Sequence, residues 1–102
     1  MREFDTDVGD LRLRACQWGN QKDPPVLILH GWLDQSFSWH PIAMALADEG
    51  HCVYALDQRG HGRSDHAPRH SQYHFSDYIS DVDAWLSSNS ISPISLIGHS
   101  MG

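Results

Sequence analysis

The chain closes on Ile94-Ser95-Leu96-Ile97-Gly98-His99-Ser100-Met101-Gly102, a short apolar run leading into a complete G-x-S-x-G. Residues 94–97 read as a buried strand. A serine on the tight strand-to-helix turn after such a strand has its hydroxyl exposed at the top of a sheet, where it can attack a carbonyl. Gly98 and Gly102, two residues to either side, let neighbouring backbone approach with no Cβ in the way. A serine nucleophile of this kind needs a histidine base and an acid to orient it. Only Met101 and Gly102 follow Ser100, so residues 1–102 read as the front part of one larger domain.

Upstream of this stretch, strands and helices alternate. Leu11, Leu13 and Ala15 interleave with Arg12, Arg14 and Cys16, the period-two pattern of a strand with one wet face. Gly9-Asp10 supplies the turn that pairs it with residues 3–6 as a hairpin. After a polar loop closed by Pro24 and Pro25, Val26-Leu27-Ile28-Leu29 is apolar throughout, as in a strand covered on both faces. Trp39, Ile42, Ala43 and Leu46 then fall at helical spacing, with Pro41 in the first turn and Gly50 as the stop. Residues 52–56 repeat the buried-strand pattern. Residues 66–75 are polar and histidine-rich without periodicity. Helical spacing resumes at Tyr78, Val82 and Trp85, with Ser76 as the expected N-cap and Asp77 favouring the positive helix end. The order is β-β-β-α-β-α-β, which predicts an α/β fold: a mostly parallel five-stranded sheet with an N-terminal antiparallel hairpin.

Composition narrows the partners. The 102 residues are 40% hydrophobic and 20% charged, ordinary for a soluble domain. A net charge of −6 argues against nucleic acid and gives no attraction to anionic membranes. Charges at Arg2, Asp5, Asp7, Asp10, Arg12 and Arg14 leave no apolar signal-peptide core, and no run is long enough to span a bilayer. The cytoplasm is the default compartment. Cys16 and Cys52 make no framework and read as buried thiols.

Three motifs stand in order, each at the C-terminal end of an expected parallel strand: His30-Gly31-Trp32, then Asp57-Gln58-Arg59-Gly60-His61-Gly62-Arg63-Ser64, then Gly98 to Gly102. Open α/β sheets bind ligands at that edge. Together these motifs resemble the α/β-hydrolase superfamily over nearly the whole chain, and His30-Gly31-Trp32-Leu33-Asp34 looks like its serine-hydrolase-like branch. The resemblance implies that Ser100 is the nucleophile. It also implies that the backbone N–H groups of Trp32 and Met101 form the oxyanion hole, while His30, Gly31, Gly98, His99 and Gly102 support the motifs. Two donors aimed at the oxygen that turns negative are a large term in acyl transfer: losing one costs about 10²–10³ in rate. The topology implied places residues 94–97 beside 26–29, residues 52–56 on the other side, and the hairpin beyond.

His30 is tempting as a base, but the family order is Ser, then Asp or Glu, then His, which puts the base downstream; a structural role is expected. Asp57 and Asp65 read as turn and loop residues. Gly60-His61-Gly62 lacks the third glycine and the helix of a dinucleotide fingerprint. His66, His70 and His74 recur every four residues, yet Pro68 and the lack of apolar periodicity favour an exposed loop over a metal site. No metal and no cofactor is expected. Asp34, Gln35 and Phe37 either face a substrate or pack the loop.

The nucleophile narrows the chemistry. Dehalogenases and epoxide hydrolases of this architecture carry aspartate at the elbow, whereas serine suits acyl transfer. The leading expectation is a hydrolase of carboxylic esters or related acyl substrates, with a small-molecule acyl partner. Alternatives are an acyltransferase or C–C bond hydrolase on the same scaffold, and an inactive truncation product or non-catalytic binding domain.

Overall fold

Strand β4 (Cys52–Leu56) is buried along its whole length because alternate side chains meet different helices. Cys52, Tyr54 and Leu56 join Leu13, Ala15, Leu27 and Trp85 in one cluster, while Val53 and Ala55 join Cys16, Trp18, Ile28 and Ala43 in another. The computed structural model describes residues 1–66, 74–92 and 94–102. Most of the polar loop expected over residues 66–75, including Pro68 and His70, lies outside the described residues.

β1 (Arg2–Val8) and β2 (Leu11–Trp18) form the hairpin, turning at Gly9 with φ +59°. β2 runs antiparallel to β4, with Ala15 opposite Leu56 and Trp18 opposite Val53. β3 (Pro25–Leu29) lies parallel to β4 on one side and to β5 (Ser95–Gly98) on the other. The five-stranded order is β1-β2-β4-β3-β5, the arrangement expected. Of its four pairings two are parallel and two antiparallel, so the sheet is mixed: a parallel core of β4, β3 and β5, with the hairpin adding antiparallel strands.

A 3₁₀ turn (Ser36–Trp39) leads into α1 (His40–Asp48), so Trp39 precedes the helix rather than opening it. Ala43, Leu46 and Ala47 of α1 meet one sheet face, whereas Ile42 points to solvent. On the other face α2 (Phe75–Ser88) buries Trp85, whose ring centroid lies 5.5 Å from Tyr54 and 6.2 Å from Phe4. The N-cap of α2 is His74, not Ser76. The Asp77 carboxylate reaches back to accept the His74 backbone N–H at 3.3 Å, and that return bond fixes where the helix begins.

β5 lies at the end of the sheet, and its apolar Leu96 is 57% exposed there. Both cysteines are buried and free. Among the described residues no helix is long and apolar enough to cross a membrane.

Candidate active site

The turn after β5 holds Ser100 at φ +58°, left-handed backbone that costs a non-glycine residue about 1–3 kcal/mol. Its flanking glycines allow the turn to close. A Cβ on Gly98 would strike the Gly102 backbone, and one on Gly102 would strike the Leu29 carbonyl. Two bonds complete the turn: His99 N–H donates to the Leu29 carbonyl at 3.2 Å, and Gly102 N–H to the His99 carbonyl at 3.0 Å. The His99 ring packs 5.7 Å from that of Trp39.

The loop after β3 meets this turn backbone to backbone. A Cβ on Gly31 would stand 3.1 Å from Cβ of Ser100, and 3.2 Å from the His99 carbonyl oxygen. Glycine at position 31 is what lets the two loops touch. Trp32, Ser100 and Met101 then line one cavity of about 510 Å³, together with Phe75 and Tyr78 from α2. The nucleophile candidate and both oxyanion candidates therefore share a single concavity at the C-terminal edge of the parallel strands.

His30 is fully buried and committed elsewhere. Its Nδ1–H donates to the Gly31 carbonyl at 2.8 Å and its Nε2 accepts the Gln58 backbone N–H at 3.0 Å. Burial pushes the His30 pKa down, favouring the neutral ring that this pattern requires. Both ring nitrogens are thus spent on tying the two loops together.

The loop after β4 is held just as firmly. The buried Asp57 carboxylate accepts the Ser36 N–H at 2.6 Å and the Arg63 N–H at 3.1 Å. The Ser64 hydroxyl donates to the Asp57 carbonyl and accepts the Arg14 N–H at 2.8 Å. Asp65 accepts the Arg12 N–H at 2.8 Å. Arg59 makes a two-pronged pair with the buried Asp81 of α2, at 2.6 and 2.8 Å, which raises the Arg59 pKa further. Asp57 and Asp65 are thus loop-setting residues, as their sequence context suggests.

Asp34 accepts the Gln35 N–H at 2.8 Å and the Trp39 indole N–H at 3.2 Å. A hydrogen bond from Ser38, with these two, holds its pKa below the usual value. Gln35 and Phe37 line a separate cavity of about 330 Å³ with Arg14, Cys16 and Arg63. These three residues belong to loop packing and a second hollow, not to the wall of the Ser100 cavity. Sequence reasoning missed Phe75 as a cavity residue. It is the last residue of the stretch without periodicity and the first of α2, so nothing local marked it.

A family model described as the alpha/beta hydrolase fold matches residues 24–102. The chain belongs to the α/β-hydrolase family. It is 38% identical over 100 residues to the "Serine hydrolase-like protein" of Danio rerio, covering 98% of this chain and 30% of that one. It is 35% identical over 83 residues to "Epoxide hydrolase B" of Mycobacterium tuberculosis, covering 81% of this chain and 23% of the relative. Among solved structures, the thioesterase domain from the curacin biosynthetic pathway superposes with a TM-score of 0.92 at 35% identity, covering 100% of this chain and 38% of that one. This α/β-hydrolase chain thus spans roughly a quarter to two fifths of the length of these relatives.

Proposed function

We propose that residues 1–102 are the N-terminal part of a serine hydrolase acting on carboxylic esters or related acyl substrates, with Ser100 as nucleophile. The observation that carries this reading is Ser100 at φ +58° on the turn after β5, in one cavity with Trp32 and Met101. In the proposed reaction the Ser100 hydroxyl oxygen bonds to the acyl carbon while its proton passes to a base. The backbone N–H groups of Trp32 and Met101 receive the oxygen that becomes negative. Collapse of the tetrahedral adduct expels the alcohol or thiol, and water then releases the acid from the acyl-enzyme.

The acid and base of this scheme follow the nucleophile in the family's chain order. His30 is no substitute, since both of its ring nitrogens are engaged in loop bonds. Serine at the elbow favours acyl chemistry over the alkyl-enzyme ester of the aspartate-bearing members. The proposed partner is a small acyl molecule, with neither nucleic acid nor membrane required by a net charge of −6.

The test is a graft in which residues 1–102 replace the matching segment of the curacin thioesterase domain. Fluorophosphonate labelling at Ser100 and hydrolysis of a short-chain nitrophenyl ester are expected, both lost in Ser100→Ala. A folded graft that neither labels nor hydrolyses would overturn the proposal.

A further inference from the structure

His61 is 6% exposed and sits at the centre of a ring cluster. Its centroid lies 4.9 Å from His30, 5.0 Å from Trp32 and 6.4 Å from Tyr78. Its Nδ1–H donates to the Arg59 carbonyl at 2.9 Å, which fixes the ring's orientation. Among the described residues Nε2 has no hydrogen-bond partner. The ring therefore serves its neighbours by shape and by aromatic contact.

Trp32 has the opposite character. It lies on an exposed turn closed by the Asp34 N–H to Gly31 carbonyl bond at 3.2 Å, and the next residue, Leu33, has φ +66° and is 82% exposed. Trp32 itself is 56% exposed, yet its indole forms a wall of the Ser100 cavity. The one aromatic contact seen for Trp32 among the described residues is the edge-to-face pairing with His61 at 79°. That geometry sets the positive edge of one ring against the negative face of the other and so favours one orientation.

We propose that His61 is a positioning residue: it holds the Trp32 indole in place as the wall of the cavity and thereby sets the space available to the acyl group. The inference rests on the reading of Ser100 as nucleophile only for its consequence in turnover. The backbone N–H of Trp32 is held separately, through the bonds of His30 to Gly31 and Gln58. Loss of the His61 ring should therefore change how well an acyl group is held more than how fast it reacts.

The test uses the 102-residue chain carrying Leu96→Lys and Ile79→Lys to limit association, neither of them in the wall of the Ser100 cavity, labelled with 5-fluorotryptophan, whose four tryptophans give separate fluorine resonances assigned by single Trp→Phe variants. In His61→Ala the Trp32 resonance is expected to move toward that of free indole, while that of the fully buried Trp85 stays in place and certifies the fold. His61→Phe, which keeps a ring, should return the Trp32 resonance to its original position. Should alanine unfold the chain, seen as loss of the Trp85 signal, His61→Leu takes its place as the variant without a ring. An unmoved Trp32 resonance in a folded ringless variant, or a phenylalanine that fails to restore it, overturns the proposal. In the thioesterase graft, His61→Ala should raise KM for the nitrophenyl ester several-fold with kcat held, and a fall in kcat alone would also overturn it. A graft without any hydrolysis would count against Ser100 chemistry, while the fluorine measurement would still decide the role of His61.

Discussion

The Nε2 atom of His30 accepts the Gln58 backbone N–H at 3.0 Å, and the Gln58 side-chain amide donates back to the His30 carbonyl at 2.8 Å. This reciprocal pair joins the loop after β3 to the loop after β4 where water does not reach. It also removes the histidine of the H-G-W motif from any part in proton transfer.

Replacing His30 by Ala would leave the buried Gln58 N–H without a partner and open a cavity behind Gly31. A loss of about 3 kcal/mol is expected, read as a lower urea midpoint at neutral pH. An unchanged midpoint would show that the pair is not a structural tie.

The pH dependence follows from the same burial. His30 is held below the ordinary histidine value of 6.5, chiefly by burial. Above 6.5 both folded and unfolded chains carry a neutral ring and the full stability is present. As pH falls below 6.5 the unfolded chain takes up the proton first, so stability declines until the folded pKa is reached. Urea midpoints should fall across that window, and more steeply than in His30→Asn, which cannot titrate there.

Ser100→Gly should stabilise the folded chain by about 1 kcal/mol, because glycine occupies φ +58° without a Cβ penalty. The same substitution should abolish labelling and hydrolysis in the thioesterase graft. A destabilised Ser100→Gly chain would mean that the turn carries no strain.

Asp57→Ala would strand two backbone donors, the buried one of Ser36 and the partly buried one of Arg63. A loss of about 3 kcal/mol is expected. Asp57→Asn, with one acceptor oxygen, should fall between alanine and the parent in a denaturant titration.

The 102-residue chain by itself is expected to bind hydrophobic dyes and to associate, because Leu96 at the sheet edge and Ile79 and Phe75 on α2 are 57%, 71% and 72% exposed. Leu96→Lys with Ile79→Lys should weaken both effects, measured by dye fluorescence and sedimentation. Ester turnover and fluorophosphonate labelling of this chain alone should be negligible, since neither His30 nor any residue after Ser100 offers a base.

Much of the fold was legible because burial on two faces writes itself into sequence. The uninterrupted apolar runs at residues 26–29 and 52–56 are what strands between two helix layers require, and both are central strands. Edges and helix starts were harder to read. The apolar run of β5 does not itself mark an edge, whose position at the end of the sheet followed only from the implied topology, and α2 is capped by His74 through Asp77 rather than by Ser76. Hydrophobicity reports a preference for burial, not whether a neighbour is present. A cap depends on which side chain reaches back.

For the site, local sequence determined the elbow. A serine between glycines at two-residue spacing, directly after an apolar strand, allows the backbone approaches that Gly98 and Gly102 make. The tertiary structure alone decided which distant residues meet it. Gly31 touches Ser100 because β3 and β5 are parallel neighbours in register, and Phe75 and Tyr78 arrive from α2 across the sheet edge. Only the folded chain shows His61 between His30 and Trp32. Spacing along a strand or helix fixes contacts within one turn or one pleat; contacts across the sheet are set by register and packing, which no local pattern encodes.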